Sequence, residues 1–157
     1  MKGETQAIHL AKIMQKHKLY PEYELALPLI LVKKNSLKKL SKGDILLLGL
    51  DRLEMILLKE GRICAQVIMN GSEKSSKIKI TNLYKDTAKS NNSKKYQIVK
   101  CSFGNLQSRK MEIGHNIGVS SLDLQEVTLV VEDKNIAKGS LVSVDEEIAV
   151  QISEVVL

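Results

Sequence analysis

The sequence predicts a mainly β protein built from two similar modules. Residues 57–65 and 129–137 match without a gap, 72 positions apart, and each reads as a strand, a polar tip and a second strand. The apolar content of 43% is mostly Leu, Ile and Val, with only 3% aromatic residues, which favours strands packed on strands. Modules of roughly 60 residues are too small to bury a comfortable core alone, so we expect the two to share a core or dimerise.

The domain organisation follows from composition. Residues 1–22 are predicted to hold an N-terminal helix, with apolar residues on one side, lysines on the other and Pro21 at its end. The first module is placed at 23–84. Residues 85–95 carry no apolar residue larger than alanine, so they are predicted to be a linker. The second module is placed at 96–157.

The first module is predicted to open with a strand over 24–32. Pro28 has no N–H to donate, which places this strand at a sheet edge or leaves it paired on one side. Asn35 or Ser36 is expected to cap a single helical turn. Further strands are predicted over 44–50, 53–58, 62–70 and 77–83, with a hairpin at residues 59–61.

The second module is predicted to repeat this order. Its first strand covers 96–103 and ends at a turn marked by Gly104, and a short helical segment follows at 107–113. Strands are predicted over 119–124, 127–132, 135–144 and 148–155. In this alignment Gly43 corresponds to Gly118, so both modules read as a strand, a short helix and four strands.

The net charge of +6 comes from 24 basic and 18 acidic residues. Lysine-rich solvated faces explain such a balance, and binding to nucleic acid or anionic lipid is the alternative. Single-stranded nucleic acid is held by aromatic stacking, and aromatic residues are scarce here, so no nucleic acid is expected as a partner. Cys64 and Cys101 lack a CxxC context, no apolar run approaches 18 residues and the N-terminus lacks a signal-peptide pattern, which together predict a reduced, cytoplasmic protein.

The sequence offers no reactive constellation. His9, His17 and His115 are scattered, and Glu146-Glu147 follows Asp145 in a predicted hairpin turn, where acidic residues are expected for solubility. The phosphate-loop, dinucleotide, nucleophile-elbow and zinc-protease motifs are all missing. We therefore expect a protein that is not an enzyme and has no metal or cofactor.

Two glycine-centred passages resemble the SpoA (surface presentation of antigens) family, the C-terminal module of flagellar switch and injectisome ring proteins. The family pattern is a short helix, a Gly-Asp or Gly-Ser turn, an apolar strand ending in Leu-Asp, a hairpin, and Ile-Ala-x-Gly before a valine-rich strand. The matching residues are 37–48 and 61–65 in the first copy, and 103–104, 111–113, 118–123, 135–145 and 148–152 in the second. The resemblance covers about residues 24–157. The first copy departs from it at Val67, where the family has glycine.

The resemblance implies that the two SpoA-like modules exchange strands and intertwine into an intramolecular pseudo-dimer. It implies a scaffold component of the type III secretion cytosolic ring, or sorting platform, at the cytosolic face of the apparatus and peripheral to the membrane. Its partners would be the stator protein that links to the secretion ATPase and other ring subunits with SpoA domains, besides a possible homo-oligomer. A flagellar motor switch component is one alternative reading, and a basic β-barrel module that binds nucleic acid is another.

The resemblance also implies an apolar patch that takes the stator segment. The matching residues are Leu141, Val142 and Val144, with Val67, Ile68 and Met69 in the first copy. An ordinary core is the other interpretation, because alternation along a strand directs about half of its side chains inward.

Overall fold

The computed structural model describes residues 20–70, 77–84, 95–119 and 124–156. These residues form a mainly β structure, as predicted, with one antiparallel 11-stranded sheet and one short helix. Most of the predicted N-terminal helix and of the predicted linker lies outside the described residues. The elements are β1 Glu22–Ala26, β2 Ile30–Lys33, α1 Lys34–Lys38, β3 Ile45–Leu50, β4 Glu54–Lys59, β5 Arg62–Asn70, β6 Lys77–Leu83, β7 Tyr96–Gln107, β8 Asn116–Gly118, β9 Glu126–Val131, β10 Lys134–Val144 and β11 Glu147–Val155.

The strand order of the sheet is β3-β11-β10-β9-β7-β1-β4-β5-β6-β8, and β2 pairs with the beginning of β7. β1 and β2 together span residues 22–33, and β7 spans 96–107, which is the same span shifted by 74 positions. β4 and β9 are related by a shift of 72. Corresponding strands therefore occur in the same order when the sheet is read from either end.

Each half of the chain contributes one outer strand that pairs with the other half. β3 pairs with β11, and β8 pairs with β6. A glycine turn precedes each exchanged strand: the Gly43 N–H donates to the Ile152 carbonyl at 2.7 Å, and the Gly114 N–H donates to the Ile80 carbonyl at 2.8 Å. Both glycines have positive φ, +94° and +90°, a conformation that glycine adopts without strain. Gly114 is thus the counterpart of Gly43, whereas the expected counterpart, Gly118, lies within β8.

The main hydrophobic core draws on both halves of the chain. Leu25 and Leu57 from the first half are fully buried with Val99, Leu129 and Ile152 from the second. A smaller cluster of Ala26, Ile56 and Leu58 is also buried. Ile56 and Leu58 alternate along β4 with Met55 and Leu57 of the main core, so the smaller cluster covers the opposite face of the sheet.

The prediction of one strand over 24–32, at a sheet edge or paired on one side because of Pro28, holds only for β2, which among the described residues pairs with β7 alone. The strand is interrupted at residues 27–29, and β1 is a central strand between β4 and β7. Pro28 lies in the interruption, where the sheet ladder needs no N–H from it, and the preceding Leu27 N–H still donates to the Cys101 carbonyl at 2.9 Å.

Predictions for the short helices fail in two places. α1 begins at Lys34 after Lys33, which makes no side-chain capping bond within the described residues, so neither Asn35 nor Ser36 is the cap. No helix occupies 107–113, because β7 continues through Gly104 to Gln107. Gly104, with φ +121°, faces Leu25 next to a register shift, so this glycine permits a bulge where a turn was expected. β8 covers Asn116–Gly118, and most of the strand predicted over 119–124 lies outside the described residues, at 120–123.

Candidate protein interface

The three predicted contact residues of the second half lie on opposite faces of β10. Leu141 pairs with the fully buried Val150 and packs against the main core. Because side chains alternate along a strand, Val142 and Val144 project from the opposite face, where both are half-buried. The predicted set therefore combines one core residue with two residues of the outer face.

Val142 belongs to an apolar row that crosses three strands. It lies opposite Ala149 of β11, and Ala149 lies opposite Leu47 of β3. Residues directly opposite in an antiparallel pair share a face, so the three side chains adjoin on the outer surface. Leu47 is 60% exposed, and Ile45, two residues before it on the same face, is 49% exposed. We call Ile45, Leu47, Val142 and Val144 the outer strip; Ala149, between Val142 and Leu47, is fully buried beneath it.

Sequence reasoning missed Ile45 and Leu47 as surface residues. The run Ile45–Leu50 is apolar throughout, which is typical of a strand covered on both faces. β3 instead lies at the end of the sheet, so only its Leu46, Leu48 and Leu50 side chains pack against the core. The exposure of Ile45 and Leu47 follows from the position of β3 at the edge of the sheet. That position results from the pairing of β3 with β11, which could not be predicted from the sequence.

The free edge of β3 adds backbone groups to the outer strip. Among the described residues β3 pairs only with β11, so one row of its N–H and C=O groups is available to another strand. Gly49, with φ +71°, lies at a register shift, because Leu48 and Gly49 fall between the pairs Leu47–Ala149 and Leu50–Ile148. An edge strand with exposed leucine and isoleucine side chains can accept both apolar and backbone contacts.

The three predicted residues of the first half form no comparable surface. Val67 is fully buried in the main core, so its side chain does not reach a partner. Ile68 projects from the outer face, but its register partners are Glu54 and Lys79. Met69 is 38% exposed opposite the buried Ile78. β5 also lies across the central β1–β7 pair from β10, so the structure does not bring the two predicted sets together.

Gly139 fixes how closely β10 approaches β11. A Cβ atom at this position would lie 2.4 Å from the Gln151 carbonyl oxygen and 2.8 Å from Cγ1 of Val150. The register shift between Lys138 and Gly139 occurs at this close approach. Since Val142 follows three residues later on β10, the glycine helps to set the position of the outer strip.

Polar groups near the centre of the sheet are engaged with one another. The carboxylate of Glu24 accepts from Lys100 Nζ at 2.6 Å and from Ser102 Oγ at 2.7 Å. Burial raises the pKa of the Cys101 thiol to about 12, so this cysteine is protonated and unreactive at neutral pH. In the described ranges no three His, Cys, Asp or Glu residues are grouped to hold a metal ion.

The described part of the chain contains no helix that is both long and apolar enough to cross a membrane. Comparison of the sequence with protein-family models and with curated proteins gives no match.

Proposed function

We propose that this protein is a non-enzymatic scaffold of the cytosolic ring of a type III secretion apparatus. In this role it binds the stator protein that links the ring to the secretion ATPase. The observation that carries the proposal is the duplicated strand order with exchanged outer strands, combined with an apolar strip at the β3-β11-β10 end of the sheet. Duplication with exchange favours an assembly module, and a one-sided strip favours one partner for each chain.

The proposed modules are SpoA-like and form an intramolecular pseudo-dimer. Support comes from the pairing of β3 with β11 and of β8 with β6, since each half completes its sheet with a strand of the other. The glycine turns at Gly43 and Gly114 give the two exchanges the same hydrogen-bond geometry. Shared core residues offer a physical reason for the duplication, because each half alone would leave much of its apolar surface in water.

The proposed contact with the stator protein is the outer strip, and its partner segment is apolar. Ile45 and Leu47 offer exposed side chains, and the half-buried Val142 lies beside them across the fully buried Ala149. We place the contact on the outer strip and not around Ile68. The charged neighbours of Ile68, Glu54 and Lys79, make that part of the first half less suited to an apolar segment.

The proposal is tested by pull-down from the native cytosol with the wild type, Val142→Asp and Ile68→Asp. The wild type should recover a stator protein with the secretion ATPase, and Val142→Asp should lose both because a carboxylate replaces an apolar contact. Ile68→Asp is the matched control on the outer face of the first half and should keep both. A flagellar stator and ATPase would assign the chain to a motor switch ring instead, whereas recovery of nucleic acid with a steep salt dependence would refute a scaffold.

Circular dichroism and thermal unfolding should accompany the pull-down. Val142→Asp should keep the spectrum of the wild type, because Val142 lies on the outer face. Leu141→Asp should unfold the protein, because Leu141 packs against the core and an unpaired buried carboxylate is strongly unfavourable. If Val142→Asp also unfolds the protein, or if it still binds the stator protein, the assignment of the outer strip is wrong.

A further inference from the structure

Strand pairing gathers lysines that are far apart in the sequence. Lys33 ends β2 opposite Tyr96 at the start of β7, and the Lys34 N–H donates to the Lys95 carbonyl at 2.9 Å. These contacts enclose a cavity of about 340 Å³ lined by Lys33, Lys34, Asn35, Lys95 and Tyr96. We call this cavity the lysine cleft. Among the described residues its lining holds three lysines and no acidic residue.

The positive charge of the lysine cleft is not neutralised within the described residues. Lys100 shows the contrast, since its ammonium group is held by the Glu24 carboxylate at 2.6 Å. Lys33, Lys34 and Lys95 have no such ion pair within the described ranges. Lys38 adds a further charge at the end of α1, whose first turn has no acidic residue. Like charges held together favour the binding of an anion.

We propose that the lysine cleft binds a phosphate group of a small phosphorylated molecule or of a lipid headgroup. Ammonium groups are compact, strongly hydrated point charges that bind phosphate without the planar geometry that arginine requires. Three of them match a group with two or more negative charges better than a single carboxylate. The volume is at the lower end for a ligand site and suits one headgroup-sized ligand, with the Asn35 amide as an additional donor. This inference does not depend on the proposed scaffold function.

The second half contains a related cavity that provides an internal comparison. It measures about 320 Å³, and its lining includes Gln107, Ser108 and Arg109. These occupy the positions of Lys33, Lys34 and Asn35 after the shift of 74 residues. Among these matching positions only Arg109 is charged, in contrast to two lysines in the lysine cleft, so the cavity of the second half is expected to bind the same anion more weakly.

The test uses the full chain and inorganic pyrophosphate, with binding followed by calorimetry and by backbone amide NMR shifts. Wild type should bind saturably, with the largest shifts at Lys34, Asn35 and Tyr96. The triple variant Lys33→Gln, Lys34→Gln, Lys95→Gln should bind about tenfold more weakly, because three ion pairs are lost. The matched control Lys77→Gln, Lys79→Gln, Lys134→Gln removes the same charge from exposed strand positions and should bind like wild type.

Vesicles of phosphatidylglycerol mixed with phosphatidylcholine distinguish the two sources of phosphate. If the wild type sediments with these vesicles, the triple variant does not, and free pyrophosphate does not bind, the site is assigned to a lipid headgroup. Binding of free pyrophosphate that needs the same lysines assigns it to a small molecule. The proposal would be overturned if the cleft and control variants lost affinity equally, or if neither probe bound. It would also be overturned if sodium chloride, at the ionic strength of the pyrophosphate solution, produced the same NMR shifts as pyrophosphate.

Discussion

Individual turn residues differ between the halves in the conformational strain that they bear. Three hairpins have two-residue tips in which both residues have positive φ: Glu60-Gly61, Glu132-Asp133 and Asp145-Glu146. Such tips match the twist of the flanking strands, and glycine is the residue best suited to them. Gly61 meets this need at φ +80°, but its counterpart Asp133 adopts φ +65° with a side chain. The second half thus carries strain that the first half avoids.

Substitutions at Asp133 and at Gly61 should change the free energy of unfolding in opposite directions. Asp133→Gly should raise the free energy of unfolding by about 1 kcal/mol because it removes the strain of the left-handed backbone. Gly61→Asp should lower the free energy of unfolding by a similar amount. Urea denaturation monitored by circular dichroism measures both. A loss of stability in Asp133→Gly would mean that its side chain contributes more than the strain costs.

Cys101 should make the folded state sensitive to alkaline pH. Its pKa is raised from 9.0 to about 12 by burial, so the unfolded chain loses the thiol proton before the folded protein does. Below pH 9 ionisation of Cys101 does not change the free energy of unfolding. Between pH 9 and 12 the free energy of unfolding falls by about 1.4 kcal/mol per pH unit, because the unfolded chain has lost a proton that the folded protein keeps. Denaturant unfolding across this range measures it. Cys101→Ala is less stable at neutral pH but should lose less stability on alkalinisation, and an equal loss would exclude the thiol as the cause.

At the scale of elements, the hairpins could be predicted and the pairing of distant strands could not. β4–β5 and β9–β10 lie within two residues of their predicted bounds, because their alternation and polar tips are local. The strand predicted over 96–103 ends before Gly104, whereas β7 continues to Gln107, because the sequence does not distinguish a glycine at a bulge from a glycine at a turn. Val142, a predicted contact residue, lies on the outer face of β10, but the neighbouring residues of β3 could not be predicted because the exchange of this strand leaves no local pattern.

The close approach of β10 and β11 gives a prediction for Gly139. Gly139→Ala should lower the free energy of unfolding by roughly 1–3 kcal/mol, because the added methyl group overlaps the Gln151 carbonyl oxygen. Gly118→Ala is the matched control, since no heavy atom of the described residues lies within 4 Å of its Cβ position. Its effect should stay within about 0.5 kcal/mol. Equal effects in the two variants would contradict the assigned packing role.

For the molecule as a whole, the exchanged strands make the two halves mutually dependent. β1 pairs with β7, β3 with β11 and β6 with β8, so contacts between the halves run along the whole sheet. The main core is also shared. The sequence predicted a need for such sharing from the size of the modules, but it did not specify which strands cross over.

Cutting the chain should therefore leave an assembled molecule. After insertion of a protease site within residues 85–94, the cleaved protein should elute from size-exclusion chromatography at the volume of the intact chain. The two pieces should separate only in denaturant, because separation exposes the shared core and unpairs four strand ladders, β1–β7, β2–β7, β3–β11 and β6–β8. Separation in native buffer would show that the halves are independent domains.

The pairing of β3 with β11 also determines when the molecule can be completed during synthesis. β3 leaves the ribosome early, yet its partner is the final described strand, so the row of hydrogen-bonding groups now paired with β11 stays open while the second half is translated. Exposed apolar strands of this kind are prone to wrong association. A nascent chain of this protein is therefore a candidate client for chaperones that shield unpaired strands until translation ends.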